Sequence, residues 1–70
     1  MKYREAARKL KNLGCVEIPR TGDGSHRKWH NPATNQSTVV PDWGGRDLKT
    51  GTVHGAVRQL GIAWTEFEGA

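Results

Sequence analysis

Two imidazoles and a lysine stand in one short run, Gly24-Ser25-His26-Arg27-Lys28-Trp29-His30. A neutral imidazole near pH 7 can take a proton from a hydroxyl or give one to a leaving oxygen. RNA carries its own nucleophile in the 2′-hydroxyl, so one well-placed histidine suits RNA cleavage without metal. Lys28 beside it can offset charge that builds on a phosphate. A lone histidine that begins a strand and faces water is the plain alternative for His26. A shared metal is the other possibility, and spacing argues against it. On a strand, His26 and His30 lie about 13 Å apart, and the residues between them supply no carboxylate. No metal or cofactor is expected.

The run must be a strand for this reading to hold. Thr21-Gly22-Asp23-Gly24-Ser25 is turn chemistry, with two glycines that tolerate positive φ and side chains that bond their own backbone. The extended run that follows ends at Asn31-Pro32, because proline cannot continue a central strand. Alternation puts His26, Lys28 and His30 on one face and Arg27 and Trp29 on the other.

Around this strand the chain reads in order. Residues 3–13 form a helix, with Tyr3, Ala6, Ala7, Leu10 and Leu13 on one stripe. Its opposite face holds Lys2, Arg4, Glu5, Arg8, Lys9 and Lys11, which suits either phosphate or plain solvent. Gly14 sits where a left-handed cap closes a helix. Cys15–Pro19 is a first strand with Val16 and Ile18 on one face, ended or held at an edge by Pro19. Asn31–Gln36 is a polar hairpin loop, and Ser37–Val40 is a third strand stopped by Pro41. After a loop carrying Trp43, residues 50–60 form a second helix, capped by Thr50 or Thr52, with Val53, Ala56, Val57 and Leu60 inward. Gly55 within it suggests close packing, and Gly61 ends it. Ala63–Ala70 is a tail whose Trp64 and Phe67 cover the core edge. His54 reads as surface without a partner. The fold class is α+β: an α-β-β-β-α two-layer sandwich with an antiparallel three-stranded sheet and both helices on one face.

Seventy residues imply one domain, near the lower size for folding alone. Hydrophobic residues make up 34% of the chain, so the three tryptophans must supply much of a thin core. The single cysteine excludes an internal disulfide and reads as a buried structural thiol. No apolar run is long enough for a membrane span or a signal peptide, so the cytoplasm is the default. Eleven Lys and Arg against seven Asp and Glu give a net charge of +4, which suits a polyanionic partner.

Five pieces in order carry a family resemblance: Gly24-Ser25-His26 with Trp29; Val39-Val40-Pro41; Leu48-Lys49; Gly51-Thr52-Val53; and Gln59-Leu60-Gly61-Ile62. From about Tyr3 to Phe67 the chain resembles the HicA (YcfA-like) toxins, ribonucleases of bacterial toxin–antitoxin pairs. The resemblance implies a double-stranded-RNA-binding-like fold and a single ribonuclease domain over residues 1–70. It implies a metal-independent mRNA endonuclease of the stress response, with His26 at the catalytic position. Candidate RNA contacts are Ser25, Lys28 and His30, with Arg8, Lys9 and Lys11 on the first helix. It also implies a HicB-type antitoxin, a monomeric free toxin and a larger assembly with that antitoxin. The chain departs from the family at Trp43, where many members carry a histidine after the proline. Trp43 is therefore a candidate for base stacking or partner binding. A non-catalytic RNA-binding module and a pure interaction module are the rival readings. The first needs the cations but not His26; the second needs neither.

Overall fold

The computed structural model describes residues 1–19 and 25–70. Of the turn expected over Thr21–Ser25, residues 21–24 lie outside them. Six elements follow in order: α1 (Tyr3–Asn12), β1 (Val16–Ile18), β2 (His26–Asn31), β3 (Gln36–Pro41), α2 (Thr50–Gln59) and α3 (Trp64–Glu68). The three strands form one antiparallel sheet in the order β1-β2-β3, with β2 central. Among the described residues, no helix is long and apolar enough to cross a membrane.

Alternation along β2 divides the sheet. Trp29 and Asn31 are buried on the helix side with Thr38 and Val40 of β3. There they meet Tyr3, Ala6 and Leu10 of α1 and Val53, Ala56 and Val57 of α2 in one core. Both long helices therefore cover the same face. The other face carries His26, Lys28 and His30, with Val16 and Ile18 on one flank and Ser37 and Val39 on the other. The aliphatic pair of β1 thus points away from the helices, and Val16 is 48% exposed. Glu17 takes the inward position instead, where Tyr3 and Arg27 bind it.

The ends of both long helices are closed by the same device. Gly14 has φ +91°, its N–H donates to Lys11 O at 3.0 Å, and Cys15 N–H donates to Leu10 O at 2.9 Å. Gly61 has φ +71°, its N–H donates to Arg58 O at 3.0 Å, and Ile62 N–H donates to Val57 O at 3.2 Å. Both are glycine caps in which the next residue folds its side chain back toward the core. The α2 cap is also clamped from the sheet. Asn31 Nδ2 and Thr34 Oγ1 each donate to Leu60 O at 2.8 Å.

Several local expectations change. The segment after Ile62 is a helix, α3, rather than a bare tail, though Phe67 does fill the core edge at 1% exposure. Neither Thr50 nor Thr52 caps α2. Lys49 occupies that place with no side-chain cap, because buried Leu48, whose N–H donates to Met1 O at 2.8 Å, sets where the chain enters the helix. Gly55 is not a point of close packing, since a Cβ there would meet nothing within 4 Å. Of the tryptophans, Trp29 is fully buried, Trp64 packs partly against the core, and Trp43 is 37% exposed.

Gly55 inside α2 and Gly61 just past its end should therefore respond oppositely to alanine. Gly55→Ala should raise unfolding free energy by up to about 1 kcal/mol, the helix-propensity difference. Gly61→Ala should lower it by about 1–3 kcal/mol, because a Cβ there sits 2.8 Å from Thr34 Cγ2 on a left-handed backbone. Denaturant midpoints of the two variants check this pair.

Candidate ribonuclease site

His26 is the first residue of β2 and pairs across the sheet with Pro41. It is exposed, as is Lys28 two residues on, and both lie on the helix-free face. The backbone around His26 is pinned from several sides. Asp42 N–H donates to Ser25 O, extending the β2–β3 ladder past Pro41, which has no N–H to give. Arg27, pointing the other way, holds Glu17 through Nη1 at 3.2 Å and Asp42 through Nη2 at 3.2 Å. The Glu17 hydrogen bond keeps the Arg27 pKa above its ordinary value. Asp42 Oδ1 in turn accepts from Gly44 N–H at 3.0 Å, and Arg46 N–H closes a turn onto Trp43 O at 3.2 Å. The Trp43 turn is thereby fastened to the sheet end that presents His26.

His30 sits at the opposite end of β2, about 13 Å along the strand from His26. It is half-buried, and its Nδ1 is 2.9 Å from Ser37 Oγ. Among the described residues, no three His, Cys, Asp or Glu side chains gather as metal ligands.

Under His26 runs a polar chain invisible to helix and strand periodicity. Trp29 Nε1–H donates to Tyr3 Oη at 3.0 Å, and Tyr3 Oη–H donates to Glu17 Oε1 at 3.3 Å. The Arg27 guanidinium lies 6.0 Å over the Tyr3 ring. Burial is the chief reason that the Tyr3 pKa is pushed up to about 12, with the Glu17 carboxylate adding to it. Cys15 is buried, and burial raises its thiol pKa too. An inert structural thiol fits that setting.

The cations expected on the first helix divide. Arg8 and Lys11 are exposed on α1. Lys9 is not on that solvent face: it is 9% exposed, and its Nζ donates to the main-chain oxygens of Phe67 (3.4 Å), Glu68 (3.0 Å) and Ala70 (3.2 Å). The amine meets the orphan carbonyls that end α3. Ser25 is half-buried just before His26. His54 is not a partnerless surface residue, because its ring stacks on Trp64 with centroids 3.5 Å apart. Glu17 and Asp42 are positioning residues that periodicity alone does not single out. For Glu17 the available signal is a carboxylate between two aliphatics in a strand, which must face whichever side supplies a cation; Asp42, in a loop after Pro41, carries no such signal.

The toxin family model described as "HicA toxin of bacterial toxin-antitoxin" matches residues 3–62. The chain belongs to the HicA toxin family. A curated relative from Pseudomonas fluorescens (strain Pf0-1), named a probable mRNA interferase HicA, is 44% identical over 62 residues. That alignment covers 89% of this chain and 97% of the relative. No solved structure matches the chain. The HicA match takes in β2, β3 and all of the pinned end around His26. It stops before α3, so the Lys9 cap and the His54–Trp64 stack reach beyond it.

Two outcomes follow. The chain has one tyrosine, so phenolate absorbance reads Tyr3 alone and should titrate near 12 rather than near its ordinary value of 10. Above the unfolded value the unfolded chain releases that proton while the fold retains it, so stability should fall as pH rises from 10 toward 12. Tyr3→Phe should remove this component of the alkaline loss. Separately, Lys9→Ala should cost about 1.5–3 kcal/mol of stability, as for a charged donor to carbonyls, read by denaturant unfolding.

Proposed function

We propose that residues 1–70 act as one HicA ribonuclease domain that cleaves RNA at the His26 end of the open sheet face. The carrying observation is the placement of His26. It is exposed at the start of β2, with Lys28 on the same face and the neighbouring backbone held by Arg27, Glu17 and Asp42. An imidazole on so constrained a backbone has little freedom to lose when it meets a substrate.

The activity is that of an endoribonuclease toxin. The 2′-oxygen of RNA attacks the adjacent phosphorus as the bond to the 5′-oxygen breaks. His26 serves as the base that takes the 2′-hydroxyl proton or as the acid that protonates the leaving oxygen. Lys28 offsets charge on the phosphoryl oxygens. Ser25 adds a polar contact beside the imidazole, His30 a contact farther along the face, and Trp43 a ring for a base. Since RNA brings its own nucleophile, the step needs no metal.

A HicB-type antitoxin in the cytoplasm is the partner that covers this face. Val16 and Val39, each 48% exposed, flank Ile18, Lys28 and His30 there. Aliphatic contacts around Lys28 and the two imidazoles suit a partner with an apolar patch and an acidic group for the lysine, bound less tightly at high salt.

His26→Ala should lower the rate of RNA cleavage by about 10²–10⁴ while stability stays within about 0.5 kcal/mol of the parent. Binding to a 2′-O-methyl RNA, which cannot cleave itself, should be retained, and chelator should leave the parent rate unchanged. Cleavage by His26→Ala at the parent rate would remove the catalytic assignment and leave an RNA-binding module.

A further inference from the structure

The helix side of the β1 edge carries a second cationic feature, separate from the His26 face. A groove of about 390 Å³ runs between α1 and β1, lined by Tyr3, Arg4, Arg8, Lys11 and Asn12 of the helix and by Glu17 of the strand. Positions 4, 8 and 11 fall within about 60° of one another around the helix and span about 10 Å along it. All three cations are exposed. Among the described residues none of them is in an ion pair. Glu17 does not neutralise them, because its two oxygens are taken by Tyr3 and Arg27. Ala7, small and half-buried, lines the groove beside the cations.

We infer that this groove is an exosite for the sugar–phosphate backbone of single-stranded RNA, holding the substrate strand away from the cut. The inference rests on the ribonuclease reading and extends it to a surface that the reaction itself does not use. Three unpaired cations in a row match a polyanion with regularly repeated charge, about one phosphate each. An acidic protein is the poorer fit. Protein interfaces are anchored by buried apolar or aromatic groups, and the exposed large hydrophobics, Val16, Val39 and Trp43, do not line this groove. The route from the cut is short. Glu17 rims the groove and binds Arg27, the residue next to His26, and β1 between the two surfaces is only three residues long. A strand leaving the outer face over the β1 edge arrives at Arg4, Arg8 and Lys11.

The test uses 2′-O-methyl oligonucleotides of increasing length, so binding is read without cleavage and does not depend on His26. Arg4→Gln, Arg8→Gln and Lys11→Gln are combined in the full chain, with the melting temperature as a check on folding. The logarithmic salt dependence of binding should become shallower by about 2, at about 0.7 per lost phosphate contact on a single strand. Arg8→Gln alone should account for about 0.7 of that change. The affinity gap from the parent should widen with length as strands become able to reach the groove. An unchanged salt slope in a folded variant overturns the exosite, as does a loss equal at every length. Retained RNA binding with lost antitoxin binding would assign the groove to a protein and also overturn it. Loss of the catalytic role of His26 would leave these binding results standing, so the two ideas fail separately.

Discussion

The hydrogen bond from the Trp29 indole to the Tyr3 hydroxyl sets the terms for the rest of the molecule. Trp29 lies at the middle of the central strand with no exposed surface, and its N–H needs a partner inside the protein. Tyr3 can supply one only if α1 lies against this part of the sheet. The tyrosine then donates its own O–H to Glu17, which must turn inward to accept it. A carboxylate so placed needs a cation, and Arg27 supplies it from β2 while reaching Asp42 beyond β3. One buried indole thus ties α1, β1, β2 and the loop after β3 through a continuous polar chain. Its far end is the backbone that presents His26.

A chain this small has little apolar area with which to lock its elements, and it relies on side chains that bond exposed ends of backbone. Asn31 and Thr34 hold the last turn of α2 against the β2–β3 turn. Lys9 holds the last turn of α3 against α1. Each contact satisfies carbonyls that a helix end leaves without partners. Each also joins parts of the chain far apart in sequence, 29 residues for Asn31 and Leu60 and 58 to 61 for Lys9. The core needs only to be continuous, from Tyr3 and Leu10 through Trp29 to Leu60 and Phe67.

Placing both long helices on one face leaves the opposite face of the sheet uncovered. On that face two half-exposed valines lie beside a lysine and two histidines. A toxin of a toxin–antitoxin pair needs a surface that can meet a substrate and can also be covered. A mixed aliphatic and cationic sheet suits both, since cations attract phosphate and aliphatics reward a protein that excludes water. The rigid ladder beneath keeps the side chains on fixed rows, with His26 at one end and His30 at the other.

Local rules in the sequence determined the order of the two long helices and three strands, the glycine helix caps, the buried Trp29 and the strand face shared by His26, Lys28 and His30. Period-two alternation, helical stripes and proline stops act over a few residues, so they are legible without neighbours. The tertiary structure decided what those rules do not reach. Glu17 faces inward and Val16 outward because the Arg27 and Tyr3 partners lie on other elements. Lys9, which by helical spacing looks like one more surface cation, is drawn inside by the carbonyls of a helix about sixty residues later. His54 finds Trp64 because the segment after Gly61 coils into α3 rather than trailing away. Gly55, which looked like a packing site, faces open space because no element crosses α2 there. In each case the deciding partner is remote in sequence, and only the folded chain brings it within reach.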